Sequence, residues 1–124
     1  MTRLITMLAG LTMPILITVL VTATTRRITP RPGAAPTIDM LECPLIGVSS
    51  AGEIVAAVQN VLWWLGYDID AVDAIYGPVT EAAVIQFQND HGLDADGVVG
   101  PATYDAIDAA LAAHGGWFRC GVGQ

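Results

Sequence analysis

The sequence predicts a small all-α domain, three short helices bundled behind an N-terminal apolar segment and a proline-rich linker. Three observations lead there. Apolar residues recur at helical spacing between Ile54 and Leu65. Gly-Pro-x-Thr occurs twice, at 77–80 and 100–103, and proline is favoured at the first helical position, where its missing N–H would have no partner. Finally, "DAIYGPVTEAAV" at 73–84 is echoed by "DGVVGPATYDAI" at 96–107, with Asp, Gly, Pro, Thr and Ala in register at an offset of 23 residues. A chain of 124 residues has room for one modest domain.

Residues 1–23 read as an address and not as part of the fold. From Leu4 to Ala23 there is no charge, Arg3 precedes the stretch, and about 20 apolar residues suffice to span a bilayer. Pro14 interrupts the run, and Val21-Thr22-Ala23 ends it with the small residues that a signal peptidase reads. The segment is therefore a signal peptide cut after Ala23 or a retained membrane anchor. Residues 24–42, "TTRRITPRPGAAPTIDMLE", hold Pro30, Pro32 and Pro36 and no apolar period, which is the composition of an extended linker. The folded module is expected over 43–120, with 121–124 as a tail.

The first helix is expected to open at "SAGE", Ser50 capping it and Glu53 closing a capping box, and to stop at Gly66. Ile54, Val55, Val58, Val61, Leu62 and Leu65 share one face. Trp63 points away from that face and Trp64 sits at its edge; Trp63 is expected to cover the C-terminal tail with Trp117 and Phe118 or else to be an exposed partner contact. The second helix starts at Pro78, turns Val84 and Phe87 inward, and ends at Gly92, with Leu93 folding back. The third starts at Pro101, buries Tyr104, Ile107 and Leu111, and frays at "HGG" beside His114. In each copy of the doubled phrase, Asp organises a turn, Ile75 or Val98 is expected to plug the core, and Gly-Pro launches a helix. The second copy has Gly97 where the first has Ala74, which suggests a slightly different first turn.

Charge divides along the chain. Four of the five basic residues lie in the first 31 positions, and all 12 acidic residues lie from Asp39 onward, where Arg119 is the only cation. Such a module would repel phosphate, so nucleic acid is not an expected partner.

The segments "VAAVQNVLWWLGY", "VDAIYGPVTEAAVIQFQNDHGL" and "DGVVGPATYDAI" closely resemble the peptidoglycan-binding domain found beside many bacterial cell-wall hydrolases. The resemblance spans about residues 50–111, with Leu-Gly-Tyr, two Gly-Pro-x-Thr helix starts and Phe-Gln in the expected order. It departs at Ala74, usually Gly, and at Val58, usually Leu. It implies an exported, non-catalytic module that docks on peptidoglycan, glycan or stem peptide, either alone or beside a separate wall hydrolase. It implies no cofactor, and membrane contact only through residues 4–23 if these are retained.

Motifs for chemistry are few. His91 and His114 sit in helix-end contexts, no His-Glu-x-x-His or Gly-x-Ser-x-Gly occurs, and a calcium loop counted from Asp68 would put Val72 and Val79 where oxygens are needed. In an exported protein, Cys43 and Cys120, flanking a small module, are most simply a disulfide. The competing reading is that Arg119-Cys120-Gly121-Val122 resembles the cysteine-switch motif of matrix metalloprotease propeptides. A free Cys120 thiolate would then serve an inhibitory or protein-interaction role. For a ligand, an aromatic platform with a few polar groups is sought; the candidates are Tyr67, Asp73, Tyr76, Gln88 and Asp96, in a groove against the two turns.

Overall fold

The computed structural model describes residues 28–123; the expected leader at 1–23, residues 24–27 of the linker and Gln124 lie outside the described residues. In chain order the elements are β1 (Thr37–Met40), α1 (Glu53–Leu65), α2 (Pro78–Asp90), α3 (Pro101–Ala112) and β2 (Trp117–Cys120). The three helices are those the sequence predicts. The two strands are not: they form a parallel two-stranded sheet with Thr37 opposite Trp117 and Met40 opposite Cys120. The three-helix body stands as expected, and the small sheet is an addition to it. Each strand is only four residues long, too short for an alternation to stand out, and β1 lies inside the proline-rich stretch that reads as linker. Among the described residues no helix is long and apolar enough to cross a membrane.

The core is built from one stripe per helix. Val55, Val58, Val61 and Leu62 of α1, Val84 and Phe87 of α2, and Ile107 and Leu111 of α3 are buried almost completely, together with Val99 from the turn before α3. Burial of each such side chain stabilises the fold by about 1.5–3 kcal/mol relative to exposure. Gly66 ends α1 in the left-handed region, at φ 105°, with its N–H returned to the carbonyls of Leu62 and Trp63. A side chain there would also strike the Thr29 carbonyl, since a Cβ would lie 2.3 Å from it. The proline-rich segment thus runs hard against the end of α1. Arg31 donates its backbone N–H to the Trp64 carbonyl at 2.8 Å and its Nε–H to the Trp63 carbonyl at 2.7 Å.

That contact corrects the expectation for Trp63. The ring is 41 % exposed and is covered by Arg31, whose guanidinium carbon lies 4.6 Å from the ring centroid, a cation–π contact. The C-terminal aromatics go elsewhere. Phe118 packs on Tyr104, and Trp117 donates its indole N–H to Asp39 at 3.1 Å.

Ser50 does not cap α1. Gly52 holds the N-cap position without any side-chain cap bond, and Ser50 Oγ accepts from the Gly47 N–H at 3.1 Å instead. The reason is that Ser49 to Gly52 is already engaged with the turn before α2. Ser49 N–H donates to Tyr76 O, Tyr76 N–H to Ser50 O, and Gly52 N–H to Ala74 O. The same connecting segment reaches the other turn through Ile46 and Val99, which exchange both backbone hydrogen bonds at 3.2 and 2.8 Å.

This pairing corrects a second expectation. Ile75 and Val98 do not plug the core; they are 60 % and 39 % exposed, and the residues after them, Tyr76 and Val99, are buried. Extended backbone sends successive side chains to opposite faces, so engaging Tyr76 and Val99 inward turns Ile75 and Val98 out.

Candidate functional site

Both turns are held from below by a buried glutamine on the preceding helix. Gln59 of α1 is 1 % exposed. Its Nε2 donates to Asp73 Oδ1, the Ile75 carbonyl and Thr80 Oγ1 at 3.0, 3.0 and 2.9 Å. Its Oε1 accepts from the N–H groups of Asp73 and Ala74 at 3.1 and 2.9 Å. Gln88 of α2 repeats the arrangement, donating to Asp96 Oδ1, the Val98 carbonyl and Thr103 Oγ1 at 3.1, 2.9 and 3.1 Å, and accepting from Gly97 N–H at 3.0 Å. An amide side chain is the one neutral group that offers donors and an acceptor together at the end of two methylenes. Each doubled phrase is thus the visible half of a three-part unit: glutamine, Asp turn, Pro-x-Thr helix start.

Each Asp completes its turn through the backbone. Asp73 Oδ1 accepts from Ile75 N–H and Asp96 Oδ1 from Val98 N–H, both at 3.0 Å. These backbone bonds, followed by the glutamine amides, hold both carboxyls below their ordinary pKa of 3.8. Position 74 does require positive φ: Ala74 sits at 66° and Gly97 at 75°. The two turns have the same shape, contrary to the expectation of a different first turn, and Ala74 carries the strain of a left-handed residue.

The five candidate residues fall into three kinds. Asp73 and Asp96 are exposed at the turn surfaces. Tyr76 and Gln88 are 1 % exposed and present almost no surface of their own. The Tyr76 hydroxyl donates to the Gly97 carbonyl, stitching the first turn to the second and filling the space between them. Burial, with Glu81 and Asp96 nearby, pushes that phenol well above its ordinary value. Tyr67 belongs elsewhere. It is buried, its ring meets Phe87 edge-on, and its hydroxyl donates to Asp90 at 2.8 Å. It lines a separate groove of about 470 Å³ at the helix ends, shared with Ile28, His91 and His114.

Sequence reasoning missed Gln59. The dipeptide Gln-Asn recurs at 59–60 and 88–89, a faint signal beside the stronger echo of the turns. Flanking the stitched turns are two open grooves. One, of about 200 Å³, lies against the first turn and is lined by Asp70, Asp73, Ile75 and Val79. The other, of about 480 Å³, lies against the second and is lined by Leu45, Leu93, Asp94, Asp96, Val98 and Pro101.

The histidines have structural surroundings. His91 stacks on Phe87 with its Nδ1 2.9 Å from the Phe87 carbonyl, and His114 meets Trp64 edge-on. Among the described residues no three His, Cys, Asp or Glu side chains converge as metal ligands. Cys43 and Cys120 are joined in a disulfide, their Cα atoms 5.7 Å apart. This overturns the cysteine-switch expectation for Arg119-Cys120-Gly121-Val122, because a bonded Cys120 has no thiolate to present.

The family model described as a putative peptidoglycan binding domain matches residues 51–107, the span from α1 through both glutamine-held turns into α3. The chain is 41 % identical over 69 residues to a protein encoded in the bpoA1 3′ region of Kitasatospora aureofaciens, covering 52 % of this chain and 56 % of that one. It is 45 % identical over 60 residues to the zinc D-Ala-D-Ala carboxypeptidase of Streptomyces albus G, covering 47 % of this chain and 24 % of the enzyme. The chain thus spans about half or less of the length of these relatives. Among solved structures it is similar to the SleB N-terminal domain, at 31 % identity and a TM-score of 0.54, over 55 % of this chain and 93 % of that domain. The chain belongs to the peptidoglycan-binding domain family.

Proposed function

We propose that the chain is a non-catalytic, extracytoplasmic module that binds peptidoglycan through the surface of its two glutamine-held turns. The observation that carries this reading is the exposure of Ile75 and Val98 at equivalent places in both turns, each beside an ordered carboxylate and an open groove. An apolar side chain next to fixed polar groups suits a sugar or a short peptide, which offer both kinds of surface. In this reading Asp73 and Asp96 face the ligand, Gln59, Gln88 and Tyr76 hold the turns in shape, and Tyr67 serves the core at the helix ends.

Co-sedimentation with purified insoluble peptidoglycan tests the reading. The chain is expected in the pellet at low and moderate salt; a chain that stays in the supernatant refutes wall binding. Ile75→Asp with Val98→Asp is expected to weaken pelleting at least tenfold while leaving the melting curve in place, because both side chains are outside the core.

A role beside a wall hydrolase is compatible with this. The Streptomyces relative is named as a zinc D-Ala-D-Ala carboxypeptidase and carries its similar segment within a much longer chain. Here a companion enzyme would be a separate partner brought to the same wall.

A further inference from the structure

Among the described residues the two strands leave one sheet edge open. The Trp117 N–H donates to the Pro36 carbonyl at 3.1 Å, which sets the register of the parallel pair. In that register Ile38 and Met40 direct their backbone groups to β2, so the N–H and C=O groups of Thr37 and Asp39 point the other way. The far edge of β2 is covered: Phe118 N–H donates to Asp108 Oδ1 of α3 at 2.8 Å. The far edge of β1 has no such cover among the described residues. Among the described residues nothing pairs with the backbone of Thr37 or Asp39 on that side. Instead a groove of about 450 Å³ runs between β1 and α1, with Glu53, Ala57, Asn60 and Val72 as its opposite wall.

We infer that this groove receives an extended peptide as a third strand on β1, and that the peptide is an amine-bearing stem of peptidoglycan. An unpaired strand edge is a template for strand addition, where main-chain hydrogen bonds give affinity and neighbouring side chains give selectivity. A strand of four residues offers about 13 Å, enough for a stem-length peptide. Charge selects the occupant. Asp39 and Glu53 line the groove, and among the described residues no Lys or Arg does. Asp39 gives one carboxylate oxygen to the Trp117 indole and keeps the other. Arg119, opposite Asp39 in the sheet, is held over the Trp117 ring, 4.2 Å from its centroid. An anionic wall polymer would be repelled here, whereas the free side-chain amine of an uncross-linked stem would be attracted. The identity of the peptide rests on the wall-binding reading; the open edge and its charge do not.

The test uses the full chain and a synthetic stem-type tetrapeptide with a free lysine side-chain amine. Adding the peptide is expected to slow hydrogen exchange at the Thr37 and Asp39 amides by tenfold or more. Thr37→Pro removes one outward N–H without touching the pairing to β2, a substitution tolerated on strand edges, and is expected to weaken peptide binding at least tenfold. Acetylating the peptide's amine is expected to weaken it several-fold. Unchanged exchange at both amides, with the chain still pelleting on insoluble peptidoglycan, overturns strand addition and leaves wall binding standing. Failure to pellet alongside protected edge amides overturns the wall as the source of the peptide. A dimer that Thr37→Pro abolishes, with no response to peptide, overturns the proposal in favour of a second copy on the same edge.

Discussion

Gln59 and Gln88 do more for this fold than their place in the sequence announces. Each is buried, and each replaces in one side chain the hydrogen bonds that a tight turn leaves unmade. Gln88→Leu would keep the volume but strand the Gly97 N–H and the Thr103 hydroxyl, so a loss of about 3 kcal/mol is expected in urea unfolding. Ala74→Gly should act in the opposite sense. Ala74 holds the left-handed φ that Gly97 supplies in the second turn, with a Cβ that this conformation disfavours. Relieving it is expected to stabilise the chain by about 0.5–1 kcal/mol in the same assay. The two aspartates give the turns a pH dependence whose sign is fixed. Their folded pKa values lie below the ordinary 3.8, so between the two values the unfolded chain binds more protons. Their contribution is present above pH 3.8 and is lost as pH falls through the lower folded values. Asp73→Asn with Asp96→Asn is therefore expected to flatten the melting temperature against pH below about pH 4. At this scale the aspartates were legible because turns have a local chemistry. The glutamines were only half legible, because nothing in a helical period marks a polar residue that will be buried.

Helices were the readable elements. Both Pro-x-Thr starts hold, and Thr80 and Thr103 are buried because each hydroxyl accepts from a glutamine amide. The start of α1 was misread for a reason that lies outside the helix. Ser50 and Glu53 have the spacing of a capping box, but Ser50 is spent on the segment that joins both turns, and pairing across 22 or more residues leaves no local trace. The strands were hidden for the same reason. Thr37–Met40 alternates exposed and half-buried, yet four residues do not make a period, and their partner lies at the other end of the chain. The disulfide fastens that pair. Reducing it, or replacing both cysteines by Ser, is expected to lower stability by about 2–4 kcal/mol against guanidinium, less than the chain-entropy limit for a loop this long.

At the level of the molecule, the three-helix body and the clasp around it have different origins in the sequence. The body is the part the family model matches; the clasp is Ile28–Met40 folded back on the C-terminal strand, held by the Arg31 contacts, the parallel pair and one covalent bond. The charge division was plain from the start, and it places every described acidic residue in a chain with only Arg31 and Arg119 to offset them. Binding of an amine-bearing ligand to such a surface should weaken as salt rises from 0.01 to 0.5 M, since the screening length shrinks from about 30 Å to a few ångströms.

The disulfide also decides where tension goes. A pull applied between the two ends of the described chain enters at Ile28 and leaves at Gly123, and it loads β1 and β2 in shear because the strands run parallel. At Cys43 the covalent path crosses directly to Cys120, so the 77-residue span between them, with all three helices and both turns, cannot be drawn out while the bond is intact. Stretching single molecules without reductant should therefore withhold roughly 27 nm of contour length that appears once the bond is reduced. The turns sit inside a mechanically shielded loop, so a chain strained between its ends keeps its candidate binding surface unstretched.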